Sequence, residues 1–268
     1  MALSFRWLGN AGFEIKLDNT ILLVDPFLTR PRKSQVYFGR VEVDQKALNA
    51  YINECDHILV SHTHFDHFMD VPAIAIRIGA AIHGSANTCA LAQQFGVLRE
   101  QTHPIIAGDE FNLGEIKVKA ITARHPWIPG YASGCLRSGL EQPLRLRDYR
   151  MDTCLSFLIT FKGRHILVWS STHTDQAERA DVLICRAVSD RRWYGEMMEA
   201  VQPRLVIPGH WDDMFRPLSE SPEPFFAPPR LALPPTQRID LAEFAEKIIA
   251  VRPECAVLVP ERFRQYAF

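Results

Sequence analysis

The sequence predicts an α/β protein in which short strands precede helices in each of two similar halves. Apolar runs bounded by turn-forming Gly, Asn and Asp are typical of strands buried in a sheet. The segments that follow them place apolar residues at helical spacing, as a helix with one buried face requires. The composition does not change along the chain in a way that marks a boundary, so we expect a single domain over residues 1–268.

The first half opens on three apolar runs separated by the turn pairs Gly9-Asn10 and Asp18-Asn19. A fourth run, HILVS, is short and apolar at its centre, which favours a buried strand. The predicted elements of this half are strands over 4–8, 12–17, 20–25 and 57–61 and helices over 45–54 and 71–78.

The second half repeats this order and contains a well-marked late helix. Asp240 can cap that helix, and Glu243 stands three residues later, as in a capping box. The other predicted elements are strands over 115–122, 154–161, 164–169, 182–185, 205–207 and 256–259 and a helix over 189–201. Residues 126–152, which carry glycines and prolines, and residues 217–235, which hold seven of the 18 prolines, are predicted as long surface loops.

The charge balance and the cysteines exclude some classes of protein. Lys plus Arg is 30 and Asp plus Glu is 31, which argues against a nucleic-acid binder that works through a bulk basic field. No apolar run is long enough for a membrane anchor. The six cysteines form no CxxC pair, so we expect buried or free thiols in the reducing cytoplasm.

The most informative segment is HTHFDH, which follows the predicted strand over 57–61. It brings His62, His64, Asp66 and His67 into six residues. Imidazole and carboxylate suit zinc and related divalent metals. A spacing of two residues puts the rings of His62 and His64 on one side of an extended turn. The segment therefore predicts a metal site at the end of a strand.

HTHFDH resembles the HxHxDH signature of the metallo-β-lactamase superfamily, and further motifs follow in that superfamily's order. They are Asp25 in ILLVDPF, His125 in TARHP and His210 in VIPGH. The segments WLGNAGFEI and ILLVDP look most like the branch that contains ascorbate-phosphate lactonase and N-acyl-phosphatidylethanolamine phospholipase D.

The resemblance implies a four-layer αββα sandwich with the metals at one edge, between the two sheets. It also implies two metal sites with three ligands each, and a supporting role for Asp25. The first site would use His62, His64 and His125, and the second would use Asp66, His67 and His210.

The chain departs from the family pattern at Ser171. The family usually has an aspartate that bridges the two metals at this point, and a neutral hydroxyl is a poor ligand beside a carboxylate. We therefore expect the second ion to be the weaker one. His173 or Asp175 is a candidate to compensate, with an ordinary loop position as the alternative.

The chemistry implied is that of a hydrolase with one or two divalent ions, zinc first and manganese or iron as alternatives. A metal-bound hydroxide, oriented by the catalytic Asp66, would attack a small phosphodiester, a phosphorylated lactone or a related ester. The alternatives are a phospholipase-D-like lipid hydrolase, a non-catalytic metal- or ligand-binding protein on the same fold, and an iron oxidoreductase.

The substrate is expected to be a small, anionic molecule, because four arginines follow His125 in the loop over 126–152. A solvated charged loop is the alternative interpretation. Trp127 and Trp211 flank ligand histidines and are predicted to wall the pocket. Phe225 and Phe226 suggest a lid or a dimer contact, which leaves a homo-oligomer open. The four arginines are Arg137, Arg145, Arg147 and Arg150.

Overall fold

The structure is a computed structural model. It describes residues 3–137, 139–187, 191–226 and 238–267. Two sheets of seven strands each face one another, and a further pair of short strands lies apart from both. Three predicted segments fall partly outside the described residues: position 138 of the first loop, the start of the helix over 189–201 and positions 227–235 of the second loop.

The first sheet combines an antiparallel start with a parallel continuation. Its first three strands pair in chain order, and each later strand of this half is added in parallel beyond the third. In chain order the elements are β1 (Leu3–Gly9), β2 (Gly12–Leu17), β3 (Thr20–Val24), α1 (Lys33–Phe38), α2 (Gln45–Tyr51), β4 (His57–Leu59), α3 (Phe65–Phe68), α4 (Val71–Ile78), β5 (Ala81–Gly84), α5 (Ala86–Gln94) and β6 (Thr102–Pro104).

The second sheet has the order β7-β8-β11-β12-β13-β14-β15, and its strands from β12 onward are parallel. In chain order the elements are β7 (Glu110–Leu113), β8 (Ile116–Ala123), β9 (Ala132–Ser133), β10 (Arg150–Met151), β11 (Cys154–Phe161), β12 (Arg164–Trp169), β13 (Val182–Arg186), α6 (Arg191–Val201), β14 (Leu205–Gly209), α7 (Leu241–Val251), β15 (Ala256–Val257) and β16 (Gln265–Ala267). The last of these strands returns to the first sheet and pairs antiparallel with β1.

Three apolar clusters show the order of the layers. The central cluster takes side chains from both sheets, among them Phe13 and Phe157. The second cluster lies between the first sheet and its helices, and the third lies between the second sheet and α6 and α7. The order is therefore helix, sheet, sheet, helix, which confirms the predicted four-layer sandwich. Each large apolar side chain buried in these clusters contributes roughly 1.5–3 kcal/mol.

Local sequence explains how the well-predicted elements begin and end. Helix α4 has a proline in its first turn and ends at Gly79, which takes a left-handed φ of 85°. Helix α7 begins after Asp240, whose side chain accepts from the backbone N–H groups of Ala242 and Glu243. Helix α2 stops earlier than predicted because Ile52 is extended and buried.

The segment over 126–152, predicted as a surface loop, is only partly one. Strands β9 and β10 within it pair in parallel, and Leu144 and Tyr149 are buried against the helices of the first half. These apolar contacts fix the segment beside the edge of the first sheet. Within the described residues, we find no helix that is both long and apolar enough to cross a membrane.

Candidate metal centre

Sheet topology brings the predicted site residues together. Strands β3 and β4 are parallel, so their carboxyl ends deliver Asp25 and the HTHFDH segment to one edge of the first sheet. In the second sheet β8, β12 and β14 run in the same direction, because two antiparallel steps separate β8 from β12. Their ends carry the loops with His125, Ser171 and His210. Asp25 and His210 take left-handed φ values of 44° and 53°, as strained residues at functional sites often do.

The first triad consists of His62, His64 and His125. One nitrogen of each ring lies within 4.8 Å of the others. The ring centroids are 4.7 Å apart in all three pairs. The Nε2 atom of His64 donates to the carbonyl of Ala132 at 3.3 Å, and Nδ1 of His125 donates to the carbonyl of Pro126 at 2.7 Å. These bonds leave Nδ1 of His64 and Nε2 of His125 free for a cation.

The second triad consists of Asp66, His67 and His210, again with ligand atoms within 4.8 Å of one another. The Oδ2 atom of Asp66 lies 3.5 Å from Nε2 of His67 and 3.3 Å from Nε2 of His210. Asp66 and His67 are buried, and His210 is partly buried.

Asp25 orients this second triad from behind. Its carboxylate accepts from Nδ1 of His67 at 2.8 Å, from the Ser61 hydroxyl at 2.5 Å and from the Ser61 backbone N–H at 2.7 Å. A carboxylate on one ring nitrogen fixes the tautomer and raises the basicity of the other. The supporting role of Asp25 toward a metal stays a prediction, and these are the contacts that such a role requires.

Buried polar atoms without partners test whether a cation fits here. Nε2 of His62, Nδ1 of His64 and Oδ1 of Asp66 are buried and make no hydrogen bond among the described residues. Each such atom costs roughly 1–3 kcal/mol when it is left unpaired. All three belong to the two triads, and a divalent cation would satisfy them. The donor set of five imidazoles and one carboxylate suits zinc and similar ions.

The pKa values favour the metal-binding forms of the first triad. Burial, followed by the neighbouring histidines, lowers the pKa of His125 to about 3. Burial also lowers the pKa of His64 to about 4, although Asp66 opposes it. Both rings are therefore neutral near pH 7, as metal ligands must be.

The second triad holds charge instead. Burial raises the pKa of Asp66, but His67 and His210 outweigh burial and keep that pKa below its ordinary value. Burial lowers the pKa of His67, and Asp66 and Asp25 outweigh it in turn and raise the pKa. A cation bound here would displace the His67 proton.

Ser171 holds a loop and does not face the triads with a free hydroxyl. Its Oγ accepts from the backbone N–H of Arg124 at 3.0 Å and of His173 at 3.1 Å. These bonds fix the ends of β8 and β12 together beside the site. The side chain of His173 is exposed, and Asp175 is paired with Arg124 at 3.3 Å. Neither residue lines the cavity between the triads and the second sheet.

None of the predicted substrate-binding residues lines that cavity. Trp127 is 84% exposed, and Trp211 is buried in the core, where it stacks on Trp7 with centroids 4.9 Å apart. Three of the four loop arginines are exposed, and the fourth donates to the backbone of its own segment. Their role toward a substrate stays a prediction. The exposed arginines are Arg137, Arg145 and Arg147, and the fourth is Arg150.

Two residues at the site carry no signal in the motif. Asn10 donates from Nδ2 to the backbone carbonyl of Asp66 at 3.0 Å, and its own carbonyl accepts from His210 N at 2.8 Å. It thereby joins the two halves of the site. Arg186, the last residue of β13, lines the cavity together with His67 and His210.

A comparison with known families decides the assignment. The model described as the beta-lactamase superfamily domain matches residues 4–210 of the chain. The chain belongs to the metallo-β-lactamase superfamily. A UPF0173 metal-dependent hydrolase from Pyrobaculum arsenaticum is 32% identical over 232 residues, which cover 84% of this chain and 91% of that protein. The chain therefore also belongs to the UPF0173 family.

Solved structures agree on the fold of this superfamily member. Igni18, a metallo hydrolase from Ignicoccus hospitalis, superposes with a TM-score of 0.65 at 15% identity, covering 100% of this chain and 99% of that one. The metallo-beta-lactamase fold protein YhfI from Bacillus subtilis gives a TM-score of 0.62 at 12% identity, with 100% and 99% covered. At these identities the similarity establishes the fold alone.

Proposed function

We propose that this member of the superfamily hydrolyses a small phosphodiester, a phosphorylated lactone or a related ester with the help of one or two divalent ions. The observation that carries the proposal is the pair of adjacent triads, in which three buried atoms, one each on His62, His64 and Asp66, lack a hydrogen-bond partner among the described residues. His62, His64 and His125 would hold one ion, and Asp66, His67 and His210 would hold the other. Zinc is the expected metal, and manganese and iron fit the same donors less specifically.

A divalent cation held by these triads would supply the electrophile and would activate the attacking water. A divalent cation with an open position polarises a carbonyl or phosphoryl oxygen and lowers the pKa of coordinated water from 15.7 to about 7. The chain then needs no serine or cysteine nucleophile.

Asp66 is the residue that would hold and accept the proton of the attacking water. Its carboxylate stays ionised because neighbouring histidines keep its pKa low. Asn10 restrains the Asp66 backbone through the bond to its carbonyl. His67 is oriented by Asp25, so the second triad keeps its geometry while the proton moves.

The location and the extent of the catalytic unit belong to the same proposal. We expect the enzyme to act in the cytoplasm, with residues 1–268 as one catalytic domain. All six cysteines are free, and five of them are buried, which suits a reducing compartment.

A lipid substrate is the second candidate, because two large apolar side chains are strongly exposed. Phe38 is 86% exposed and Trp127, two residues after His125, is 84% exposed. A phospholipase-D-like enzyme would use such side chains at a lipid surface. Turnover of vesicle-bound but not of short-chain phosphodiesters would favour this candidate.

A substrate panel tests the proposal. Purified protein would be assayed on phosphodiesters, lactones and carboxylic esters, with and without a chelator and after readdition of zinc or manganese. We expect hydrolysis of at least one class that the chelator abolishes and the metal restores. Metal-loaded protein that turns over no member of the panel would instead support a non-catalytic binding protein on this fold.

A further inference from the structure

Arg186 occupies the inner wall of the site. Along β13 the side chains alternate, and Val182 and Ile184 pack in the cluster between the sheets, whereas Leu183 and Cys185 pack under the helices. Arg186 follows in the inner series. It is paired in register with Gly209, the residue before His210, and it lines the cavity next to the second triad.

No group of the described chain neutralises this guanidinium. Arg186 makes no hydrogen bond and no ion pair with the described residues, although it is partly buried. Asp66 attracts it electrostatically, but the Asp66 carboxylate is already shared by His67 and His210. The nearby Cys154 thiol stays neutral, because burial raises its pKa. Arginine remains charged in proteins. The inner side of the cavity therefore carries a positive charge that no hydrogen bond or ion pair of the described residues compensates.

The neighbouring strand end offers no carboxylate. Ser171 follows β12, the strand beside β13, and its hydroxyl is engaged by two backbone N–H groups. Asp25 is the one carboxylate that lines the cavity among the residues that the structure describes, and Ser61 and His67 already donate to it. A partly buried cation without a partner is costly, whereas an anion that arrives with a ligand would relieve that cost.

We propose that Arg186 is the receptor for an anionic group of the substrate, a carboxylate or a phosphate, placed beside the bond that is cleaved. This inference rests on the proposed function and narrows its substrate class. The planar guanidinium can grip two oxygens of such a group at once, which a lysine cannot do. The site thus has a positive charge of its own for the substrate, independent of the arginines in the loop over 126–152.

Matched substrates and variants test the role of Arg186. The assay would use metal-loaded protein and pairs of esters that differ only in a free carboxylate against its amide, or a phosphate against a hydroxyl. We expect Arg186→Gln to lower kcat/KM for the anionic member by about 10- to 100-fold, the usual range for a lost bond to a charged group. The neutral member should change little. Arg186→Lys should keep an intermediate activity, and Arg99→Gln, an exposed arginine elsewhere, is the matched control.

Anion binding gives a readout that does not depend on turnover. Inorganic phosphate and acetate would be titrated calorimetrically into the metal-loaded wild type and variants, with metal content measured in each. We expect Arg186→Gln to weaken phosphate, acetate or both by a similar factor at unchanged metal content, and the more affected anion identifies the chemistry of the substrate group.

The inference is overturned if Arg186→Gln affects anionic and neutral substrates equally, or if the variant binds both anions as the wild type does. Loss of metal in Arg186→Gln and Arg186→Lys together would also overturn it, since Arg186 would then support the metal site. If the wild type hydrolyses nothing in the panel, the proposed function fails, and the anion titrations still decide the role of Arg186.

Discussion

Two groups of histidines lie in this protein, and they differ in where their ring nitrogens point. The candidate metal centre gathers His62, His64 and His67 with two histidines from the second sheet. A second group, which we call the strand ladder, consists of His57, His83 and His103 on β4, β5 and β6.

In the strand ladder, two ring nitrogens face each other, and the ring faces pack on neighbouring aromatic rings. Nε2 of His83 lies 3.3 Å from Nδ1 of His57. The ring of His83 stacks on His103 at 4.8 Å and 15° and on Phe111 at 5.1 Å and 11°. The stacked rings of His83 and His103 do not converge on one point, and the ladder is not among the metal-competent groups of the described residues. Three histidines close together are therefore no evidence of a metal site unless unpaired nitrogens converge beside a carboxylate.

The largest expected effect of a single substitution is on Asp66. The nearly isosteric Asp66→Asn removes the proton acceptor and one anionic ligand, so kcat should fall by about 10²- to 10⁴-fold or more. Turnover of the best panel substrate measures it. The exposed Asp175→Asn is the control and should stay within about twofold, since an exposed ion pair is worth little. A near-normal kcat in Asp66→Asn would contradict the claim that Asp66 makes the metal centre, and not the strand ladder, the catalytic group of histidines.

Much of the candidate site is accessible from the sequence for a physical reason. HTHFDH is a local cluster, and His125 and His210 each follow an apolar strand. In an α/β sandwich, strands that run in the same direction end at the same edge, which brings these residues together. Asn10 could not be found in this way, because its bonds reach 56 and 202 residues along the chain.

The sequence contains a pattern that identifies Arg186, but the predicted strand over 182–185 stops one residue before it. Alternation along VLICR puts the arginine on the same face as Val182 and Ile184, and a charge on a buried face marks a site. Most of the helices and strands that the sequence did not predict are short, and the exception is helix α5, which has nine residues. Strands β5, β6 and β7 have only three or four residues, too few for a periodic pattern to stand out.

A smaller effect, on metal affinity, is expected from a substitution of Asp25. This residue supplies the metal centre with a carboxylate that orients a histidine, and the described residues give the ladder no such hydrogen bond. Asp25→Asn keeps the shape but removes the charge that orients His67 and the acceptor for Ser61. Metal affinity should fall by about 10- to 100-fold, as for other carboxylates behind a ligand histidine. Competition with a chromogenic chelator measures it. An unchanged affinity would mean that His67 needs no orienting carboxylate.

The strand ladder is expected to make the stability of the folded protein sensitive to acid. Burial, with His103 and His57 adding to it, lowers the pKa of His83 to about 3, whereas an unfolded histidine titrates near about 6.5. Below pH 6.5 the unfolded chain therefore binds a proton that folded His83 does not. The free energy of unfolding consequently decreases as the pH is lowered. At pH 5 the loss is about 2 kcal/mol, from 1.5 units at about 1.36 kcal/mol each.

Urea unfolding of wild type and His83→Asn at pH 7 and pH 5 measures this contribution. The wild type should lose about 2 kcal/mol more than His83→Asn does between the two values. His173→Asn, at an exposed position outside the ladder, is the control and should follow the wild type. Equal losses in wild type and His83→Asn would show that His83 accepts its proton in the folded state.

Metal content tests the central claim most directly, that the two triads bind metal and the ladder does not. Wild type, His62→Asn, Asp66→Asn and His83→Asn would be purified without added metal or chelator and analysed for their elements. We predict one to two divalent ions per wild-type chain, a clear loss in His62→Asn and Asp66→Asn, and the wild-type content in His83→Asn. Wild-type protein without metal, or a loss confined to His83→Asn, would contradict the account.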